Sequence, residues 1–422
     1  MKIIISGIGS AGLLTAAIMK YKMPDNDIII LDGGEGVIGV GESTVGTFIN
    51  DIMIHAGVKI NDFIKDVKPV AKYGIEFDFG EKKFHYTFDK TFNWKGYKDK
   101  LPIGFNFKGG NFGNSQFSKN MITKSHHDVI GRSHGVHVNN KRFISFLTKH
   151  VKELGVNIIK EDVNTIERDG QTIKSINNKY KADYYIDCTG FNAKLTRSKW
   201  IPYKSLINDR ALLFMTKNEH PIKPYTLATT MNSGWLWQID HIDSTNNGYV
   251  YSSKYITDDQ AKKEIENKIN KKIESRLVKF KTGRREKQWE SNVISIGNSG
   301  SFIEPLESTS LNIITNTSII LTDIFNSGVN DYLINRFNST INERLDNIAD
   351  FVSLHFILNK KLNTSYWKDY NKVKIKENTL AYNIIEYYKH NDTNIVMTSN
   401  FFSELNPFGL EGWYSILRGL NA

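Results

Sequence analysis

What this sequence lacks excludes intrachain disulfides and transmembrane helices. It has 422 residues and a single cysteine, Cys188, which cannot form an intrachain disulfide and is typical of a reducing compartment. No apolar run reaches the roughly 18 residues of a transmembrane helix, so we expect no membrane partner. The histidines show no metal-ligand spacing, and we predict structural roles for them and no metal site. The histidines considered are His85, His134, His137 and His355. We therefore expect a cytoplasmic protein, built as one large domain or two intertwined ones.

Charge is only moderately biased toward one sign. Lysine and arginine number 55 against 45 acidic residues, which gives a net charge of +10. The densest basic stretch, residues 268–287, mixes glutamates and apolar residues with its basic ones, and this predicts a solvated amphipathic helix followed by a strand. No RNA-recognition motif or zinc spacing accompanies it. Attraction of anionic small molecules is therefore favoured over nucleic-acid binding.

Proline is scarce, with 8 in 422 residues, roughly 2% against a usual ~5%. Pro305 lies in "FIEPLESTSLNII", residues 302–314, between Glu304 and Glu307. Because proline fixes its own φ angle, we predict a stiff turn that places a carboxylate.

A helix is predicted to follow this turn. Apolar residues recur with helical spacing, and they stand at positions 311, 314, 321 and 324. The helix should therefore begin near 308–310. Its first N–H groups have no partner within the helix and form a natural anion site, unless Ser308 or Thr309 caps them.

What the sequence does have is a glycine signature near its start. "KIIISGIGSAGLLTAAIMK" predicts a strand at 3–5, a turn and then a helix over 13–20. Gly7 permits the tight turn, Gly9 lets the backbone approach a pyrophosphate, and Gly12 lets the helix pack on the strand. The helix N-terminus favours phosphates. The segment is typical of a dinucleotide site.

Two further features extend this signature. The strand "DIIILD" ends in Asp32, twenty residues after Gly12, where a carboxylate is placed to meet a ribose hydroxyl. Six glycines follow between 33 and 46, and a helical pattern then runs to about residue 57. A segment so rich in glycine lies against something flat or phosphorylated, or is merely flexible. The apolar residues interleaved with the glycines favour the first interpretation.

The stretch "GVGEST" resembles the sequence that wraps the flavin in flavin-dependent tryptophan halogenases. The resemblance covers residues 3 to about 370. Its Trp-x-Trp-x-Ile and Glu-Pro-Leu-Glu-Ser-Thr stretches are specific, because ordinary flavin hydroxylases lack them as a pair. The further matching stretches are "AKYGIEF" (71–77), "HGVHVNNKRFISFL" (134–147), "YYIDCTGF" (184–191), "GWLWQI" (234–239), "GYVYSS" (248–253), "FKTGRREKQWESNVISIGNSGSFIEPLESTS" (280–310) and "HFILNKKLNTSYW" (355–367).

The resemblance implies an α/β fold with α+β elements, the FAD-binding fold of hydroxylase type. It would have a βαβ dinucleotide-binding unit, an antiparallel sheet layer and a helical C-terminal region. We expect an FAD-binding body over 1–350 and a helical substrate-side region over 351–422. FAD would act as FADH2 supplied by a separate flavin reductase. The residues expected to bind FAD are Gly7, Gly9, Ser10, Ala11, Gly12, Asp32, Gly39, Val40, Gly41, Glu42, Ser43 and Gly297.

The resemblance also implies two reaction sites. Hypohalous acid made beside FADH2 from O2 and halide would pass through a tunnel to an aromatic substrate. The backbone of Thr309 and Ser310 would hold the halide, although the family usually has glycine where Ser310 stands. Lys72 would hydrogen-bond hypohalous acid or form a haloamine with it, and Glu307, close by, would stabilise the ring cation or take its proton. Without the resemblance, Lys72 would be a surface lysine and Glu307 a first-turn helix acid.

Two tryptophans would shield the flavin. Trp235 and Trp237 share a face if their segment is a strand. By resemblance they prevent direct hydroxylation of the substrate, and by packing alone they are a core pair. The family usually follows Ile239 with proline, where this chain has Asp240.

The sequence leaves alternatives open for the substrate and for the reaction. The chain is shorter than typical tryptophan halogenases before Trp235 and after Trp367, in the regions that cover and grip free tryptophan. A wider range of electron-rich or indole-like aromatics is equally consistent. A flavin-dependent hydroxylase remains an alternative, as does a catalytically degenerate FAD-binding protein, which a halide site blocked by Ser310 would favour. A homodimer is left open.

Overall fold

The computed structural model describes residues 1–34, 41–88, 135–218, 221–377, 379–390 and 408–421. Gly39, Val40 and His134 lie outside these residues. The helices are α1 (Ser10–Lys22), α2 (Phe48–Ala56), α3 (Ile60–Val67), α4 (Asn140–Glu153), α5 (Asp258–Ile269), α6 (Ser310–Ser327), α7 (Asp331–Ile357), α8 (Ser365–Tyr370), α9 (Leu380–His390) and α10 (Gly409–Gly419), with 3-10 turns at Gly190–Asn192, Gly297–Ser299 and Pro305–Glu307.

The strands alternate with these helices and fall into several sheets. They are β1 (Lys2–Ser6), β2 (Asp27–Leu31), β3 (Gly41–Ser43), β4 (Val70–Lys72), β5 (Gly74–Asp78), β6 (Phe84–Thr87), β7 (Gly135–Asn139), β8 (Asn157–Ile159), β9 (Ile166–Asp169), β10 (Thr172–Ile176), β11 (Tyr184–Asp187), β12 (Trp200–Pro202), β13 (Arg210–Thr216), β14 (Thr226–Met231), β15 (Gly234–Asp240), β16 (Thr245–Tyr251), β17 (Arg276–Lys279), β18 (Gly283–Arg285), β19 (Trp289–Glu290), β20 (Val293–Ser295) and β21 (Ser301–Phe302).

The first of two compact units comprises Met1–Pro69, Val138–Pro202 and Thr282–Leu345. Its main sheet has the strand order β19-β20-β11-β1-β2-β8, parallel except for the β19–β20 pair. β1 and β2 are nearly continuous apolar runs with buried side chains, as expected for parallel strands covered on both faces. The predicted βαβ unit is therefore confirmed, with α1 longer at both ends than the predicted 13–20.

Within this unit α1 packs against α6. Their polar contact is buried, with Thr15 Oγ1 and Ser318 Oγ 2.9 Å apart. Ser318 Oγ also donates to the Ile314 carbonyl, one turn earlier, at 2.8 Å. The helix that follows the glycine turn and the helix that follows Pro305 are thus neighbours.

The second unit comprises Val70–His137, Tyr203–Lys281 and Asp346–Ala422. Its sheet has the order β17-β13-β16-β15-β14-β5-β6 and is antiparallel except for β14 with β5, which agrees with the predicted antiparallel layer. The helices after Asp346 belong to this unit, and Trp367 Nε1 donates to the Met231 carbonyl at 2.8 Å. The predicted domain division at residue 350 stays a prediction.

The basic stretch 268–287 departs from its expected form. α5 ends at Ile269, with Asn270 in the left-handed region at φ 51, so only the first two residues of the stretch are helical. The rest forms β17, β18 and the turns around them. Asparagine tolerates the left-handed conformation and commonly ends a helix. In the part of the chain that the structure describes, none of the helices has the length and apolar character needed to cross a membrane.

Candidate active site

The turn between β1 and α1 has the geometry that a dinucleotide requires. Gly7 has φ +109, and a Cβ there would lie 2.3 Å from the Cys188 carbonyl oxygen. A Cβ at Gly12 would lie 1.9 Å from the Gly7 carbonyl oxygen. At Gly9, a Cβ would meet no described atom within 4 Å. The protein's own packing therefore requires Gly7 and Gly12, whereas Gly9 leaves an open cradle at the helix N-terminus that fits a phosphate.

Two more predicted segments converge on this turn. Ser10 Oγ donates to Glu42 Oε1 at 2.6 Å, which ties β3 to the start of α1. Burial raises the pKa of Glu42, with the hydrogen bonds from Ser10 and Asn140 opposing it. Gly297 has φ +74, and a Cβ there would lie 2.7 Å from Ala11 Cβ. Residues from three distant stretches thus surround one helix start.

Asp32 lies where the ribose carboxylate was predicted. It follows β2, the neighbour of β1, and its amide donates to the Ile159 carbonyl at 2.8 Å. Its Oδ1 accepts from the Gly34 amide at 2.9 Å, so the carboxylate also holds the loop that leads into the glycine-rich segment. Together with the open cradle at Gly9, this arrangement fits FAD. Gly41 and Ser43 lie in β3 beside Glu42.

The stiff turn predicted at Pro305 is a 3-10 turn that ends in Glu307. Both of its glutamates are withdrawn from solvent, Glu304 at 0% and Glu307 at 1% exposure. Ser308 follows in the left-handed region with φ 58, and its amide donates to the Pro305 carbonyl at 3.1 Å. The turn therefore places a buried carboxyl directly before the next helix.

The start of α6 is the predicted anion site, and the backbone hydrogen bonds of this helix begin at its fourth residue. Its first backbone hydrogen bond runs from the Ile313 amide to the Thr309 carbonyl at 2.9 Å. Within the described residues, Thr309 forms no side-chain cap. The cap by Thr309 that the sequence left open is not formed, and the amides of the first turn remain suited to an anion. Thr309 is 2% exposed and Ser310 is half-buried, so the site is largely withdrawn from solvent.

Sequence reasoning missed a partly buried chain of polar side chains beside this helix start. Arg344 Nη2 donates to Asn312 Oδ1 at 2.9 Å, and Asn312 Nδ2 donates to Thr47 Oγ1 at 3.3 Å. Burial lowers the pKa of Arg344, and Asp51 opposes that shift. Burial raises the pKa of Asp51, with Thr47, His55 and Arg344 opposing. No sequence signal marks these residues, because they come from three separate helices.

Lys72, in the second unit, is fully buried at 0% exposure. It ends β4, which pairs antiparallel with β7 so that Lys72 stands opposite Gly135. Its Nζ lies 4.8 Å from the centroid of the Phe88 ring. The surface position that alternation alone would give is therefore excluded, and the amine lies in an aromatic, water-poor setting.

A neutral histidine lies near Lys72. His137 is opposite Val70 on the paired strand, so it shares a face with Lys72 and is its diagonal neighbour. Its Nε2 is 3.0 Å from Thr226 Oγ1. The pKa of His137 is well below its ordinary value, first because of burial and then because of Lys72 and His241, while the Asp240 backbone opposes the shift. The predicted structural histidine thus belongs to the surroundings of Lys72.

Asp240, which replaces the family's usual proline, is held by hydrogen bonds. Its Oδ1 accepts from Thr245 Oγ1 at 2.7 Å and its Oδ2 from the Lys223 amide at 2.8 Å. Asp240 is 3% exposed and closes the end of β15. The departure from the family pattern is therefore accommodated without loss of the strand.

Trp235 and Trp237 lie on β15 and, two residues apart, on the same face. Trp235 is fully buried, and Trp237 is half-buried. A Cβ at Gly248, opposite Trp237 on β16, would lie 2.3 Å from the indole Cε2. The glycine therefore lets the Trp237 ring lie against the neighbouring strand.

The structure brings together the described FAD candidates with one another, and Glu307 with Thr309 and Ser310, all within the first unit. Lys72, Trp235 and Trp237 belong to the second. In the described ranges, no group of three histidine, cysteine or acidic side chains has an arrangement suited to a metal ion.

Residues 2–421 match the family model described as tryptophan halogenase. The chain belongs to the tryptophan halogenase family. Tryptophan 7-halogenase RebH of Lentzea aerocolonigenes is 25% identical, with 89% of this chain and 80% of that protein covered. The solved structure of MibH, a lathipeptide tryptophan 5-halogenase, is 26% identical with a TM-score of 0.85, covering 100% of this chain and 86% of that one. Xcc4156, a flavin-dependent halogenase from Xanthomonas campestris, shares the fold at 22% identity and a TM-score of 0.85, covering 99% and 88%.

The protein is a flavin-dependent halogenase, an enzyme that uses FADH2, O2 and halide. The predicted FAD-binding fold is confirmed. The predicted cofactors are confirmed by the family and agree with the open cradle at Gly9. The matching proteins support halogenation and not the hydroxylase alternative. An aromatic substrate and a flavin reductase partner follow from the family.

Proposed function

We propose that the halogenase acts on an electron-rich or indole-like aromatic, with Lys72 and Glu307 as its catalytic side chains. The burial of Lys72 carries this proposal. The chain has 55 lysines and arginines, yet this one is 0% exposed and is placed against the Phe88 ring. A buried amine is costly and is retained where it has a function.

The first unit would bind cofactor and halide. Reduced FAD, reacting with O2, supplies the oxidising equivalents that turn halide into hypohalous acid. The turn from Gly7 to Gly12, with Glu42 and Gly297 beside it, would hold the dinucleotide. The backbone amides of Thr309 and Ser310 would hold the halide, which is supported by the uncapped start of α6.

The remaining residues would direct the oxidant. Lys72 would donate a hydrogen bond to hypohalous acid and orient its halogen toward the ring. Glu307 would stabilise the positive charge on the attacked ring and accept the proton from the carbon that receives the halogen. Trp235 and Trp237 would keep the substrate away from the flavin, and the placement of Trp237 against Gly248 supports a fixed indole.

The setting of the enzyme completes the proposal. A separate reductase would supply FADH2, and the location would be cytoplasmic, which the unpaired thiol of Cys188 supports. A homodimer remains a hypothesis that light scattering of the purified protein tests. Free tryptophan is one candidate substrate among indoles, anilines and phenols.

Mass spectrometry of reaction products tests the catalytic assignment. Wild type and Lys72→Ala would be supplied with FAD, a flavin reductase, NADH, O2, a substrate panel and each halide in turn. We expect halogenated product from wild type, none from Lys72→Ala, and nearly unchanged flavin reoxidation in both. Lys82→Ala removes an exposed lysine of the same unit and is the matched control. Halogenation that survives Lys72→Ala, or oxygenated product formed without halide, would overturn the proposal.

The two buried glutamates around Pro305 offer a second matched pair. Glu307→Gln should lower kcat by about 10²-fold or more, because the amide cannot accept the ring proton. Glu304→Gln should leave kcat close to wild type. Equal losses in both variants would show that the turn as a whole, and not the Glu307 carboxylate, is required.

A further inference from the structure

We propose that Arg344 raises the affinity for halide, because its half-buried guanidinium strengthens the anion site at the N-terminus of α6. This inference rests on the proposed halide-binding role of Thr309 and Ser310. It adds a side chain to a site that would otherwise consist of backbone amides alone.

The hydrogen bonds place the charge at the first turn of the helix. α6 begins at Ser310, so Asn312 is its third residue and the Asn312 amide is one of those without an acceptor inside the helix. Arg344 Nη2 donates to the Oδ1 of this same residue at 2.9 Å. A full positive charge thus lies against the turn where the helix already presents partial positive charge.

The surroundings of Arg344 reduce the screening of this charge. The side chain is half-buried, and burial lowers the pKa of its guanidinium, so water screens the charge less than at an exposed position. Its Nε has no hydrogen-bond partner among the described residues, so its donors are not saturated by the protein. Asp51 is the acid whose charge opposes the pKa shift of Arg344, and no ion pair within 4 Å joins these two side chains in the described residues.

A purely structural role for Arg344 makes a different prediction. Asn312 also reaches Thr47 at 3.3 Å, so Arg344 could serve only to join α2, α6 and α7. Loss of such a tie would lower stability and kcat without regard to halide. A charge effect would instead change the halide KM, and removing the opposing acid would change it in the opposite direction.

The test measures halide KM for four variants at constant ionic strength, with gluconate replacing halide. We expect Arg344→Met to raise the KM for chloride and bromide about tenfold, and by a larger factor than it lowers kcat. Arg344→Lys keeps the charge and should change KM by about twofold or less. Asp51→Asn removes the opposing charge and should lower the KM about threefold. Arg336→Met removes an exposed arginine of the same helix and is the matched control.

The outcomes separate the alternatives. A halide KM within twofold of wild type in Arg344→Met, or shifts of the same sign in Arg344→Met and Asp51→Asn, would overturn the inference. Where Arg344→Met fails to fold, Asp51→Asn and Arg344→Lys decide by their own KM values. The chlorine-35 NMR line width of the protein titrated with chloride gives a second measure that is independent of Lys72. Loss of the Lys72 assignment and loss of this one are therefore distinguishable.

Discussion

The two helix starts of the first unit use the same device for different anions. α1 and α6 each follow a residue in the left-handed region, Gly7 with φ +109 and Ser308 with φ 58. Neither helix has a side-chain cap in the described structure. Each therefore presents the amides of its first turn to something other than itself.

The two helix starts differ in the space that they leave for a bound anion. At α1, Gly9 faces open space, and a flat or extended group can approach the backbone closely. At α6, the flanking Thr309 is 2% exposed and the first turn is backed by the Arg344 and Asn312 contact. An open glycine cradle suits a pyrophosphate, whereas a hydroxyl-lined turn beside a half-buried guanidinium suits a small monovalent ion. The backbone geometry attracts an anion, and the side chains set its size.

The largest effect is expected from closing the first helix start. Gly12→Val places side-chain atoms where even a Cβ lies 1.9 Å from the Gly7 carbonyl oxygen. We expect the free energy of unfolding of the apoprotein to fall by about 3 kcal/mol, with loss of FAD binding. Gly9→Val is the matched control, because it meets open space; its unfolding free energy should change by less than about 1 kcal/mol while FAD affinity falls about tenfold. Denaturant unfolding and FAD fluorescence titration measure both, and equal stability losses would contradict the comparison.

Substitutions of Ser308 test the backbone conformation at the start of α6. A β-branched residue is strained at φ 58, so Ser308→Val should destabilise the protein by about 2 kcal/mol. Ser308→Gly should be neutral or stabilise by up to about 1 kcal/mol, because glycine adopts this φ freely. Urea unfolding midpoints check the pair. A Ser308→Gly variant less stable than wild type would mean that the serine hydroxyl, and not the backbone, matters here.

Glu42, beside the start of α1, makes the stability of this helix start depend on pH. Burial raises its pKa, so its contribution to stability is fully present below the pKa of the unfolded chain and is lost as pH rises through the folded-state value. Glu42→Gln keeps the size and an oxygen acceptor for the Ser10 hydroxyl but cannot ionise. We expect it to be more stable than wild type at pH 8 by about 1 kcal/mol, with the difference vanishing in acid. Unfolding of both apoproteins at pH 5 and pH 8 measures this, and a constant difference would exclude Glu42 titration as its cause.

The smallest effect is expected at Ser310, where the family usually has glycine. Ser310→Gly removes side-chain atoms from the first turn of α6 while leaving its amides in place. We expect the preference for bromide over chloride to rise about twofold to threefold, with stability changed by only a few tenths of a kcal/mol. Competition between the two halides, read by product mass, measures the ratio. A lower preference for bromide would show that Ser310 does not narrow the site.

Local patterns predicted the first unit better than the second. The apolar strands, the glycine spacing and Asp32 are contiguous signals, since β1, its turn and α1 follow one another along the chain. The turn at Pro305 and the start of α6 were also local. The surroundings of Lys72 were not, because His137 approaches it from β7, and His137 in turn contacts Thr226 of β14, far along the chain.

Arg344 shows why the rest of the candidate site escaped prediction. In the sequence it is one of many charged residues on a long helix, and such residues usually face solvent. Its position depends on Asn312, which Thr47 contacts in turn, and these residues approach one another only when three helices have packed. The basic stretch 268–287 failed differently, because Asn270 ended the helix after the first two of its residues. The spacing of apolar residues along the sequence predicts helices and strands, but it does not predict which distant segments will contact each other.

The burial of Cys188 affects how well the enzyme resists oxidation by its own product. Hypohalous acid attacks thiolates readily, and susceptibility follows thiolate character and exposure. Cys188 is 7% exposed, and burial together with the Asp187 charge raises the pKa of its thiol well above the ordinary value, so the sulfur stays protonated and shielded. A protein that generates a diffusible oxidant thus carries its one thiol in its least vulnerable form. A cysteine introduced at the surface would be oxidised before Cys188 during turnover. The extent of its oxidation would report how much hypohalous acid escapes from the enzyme.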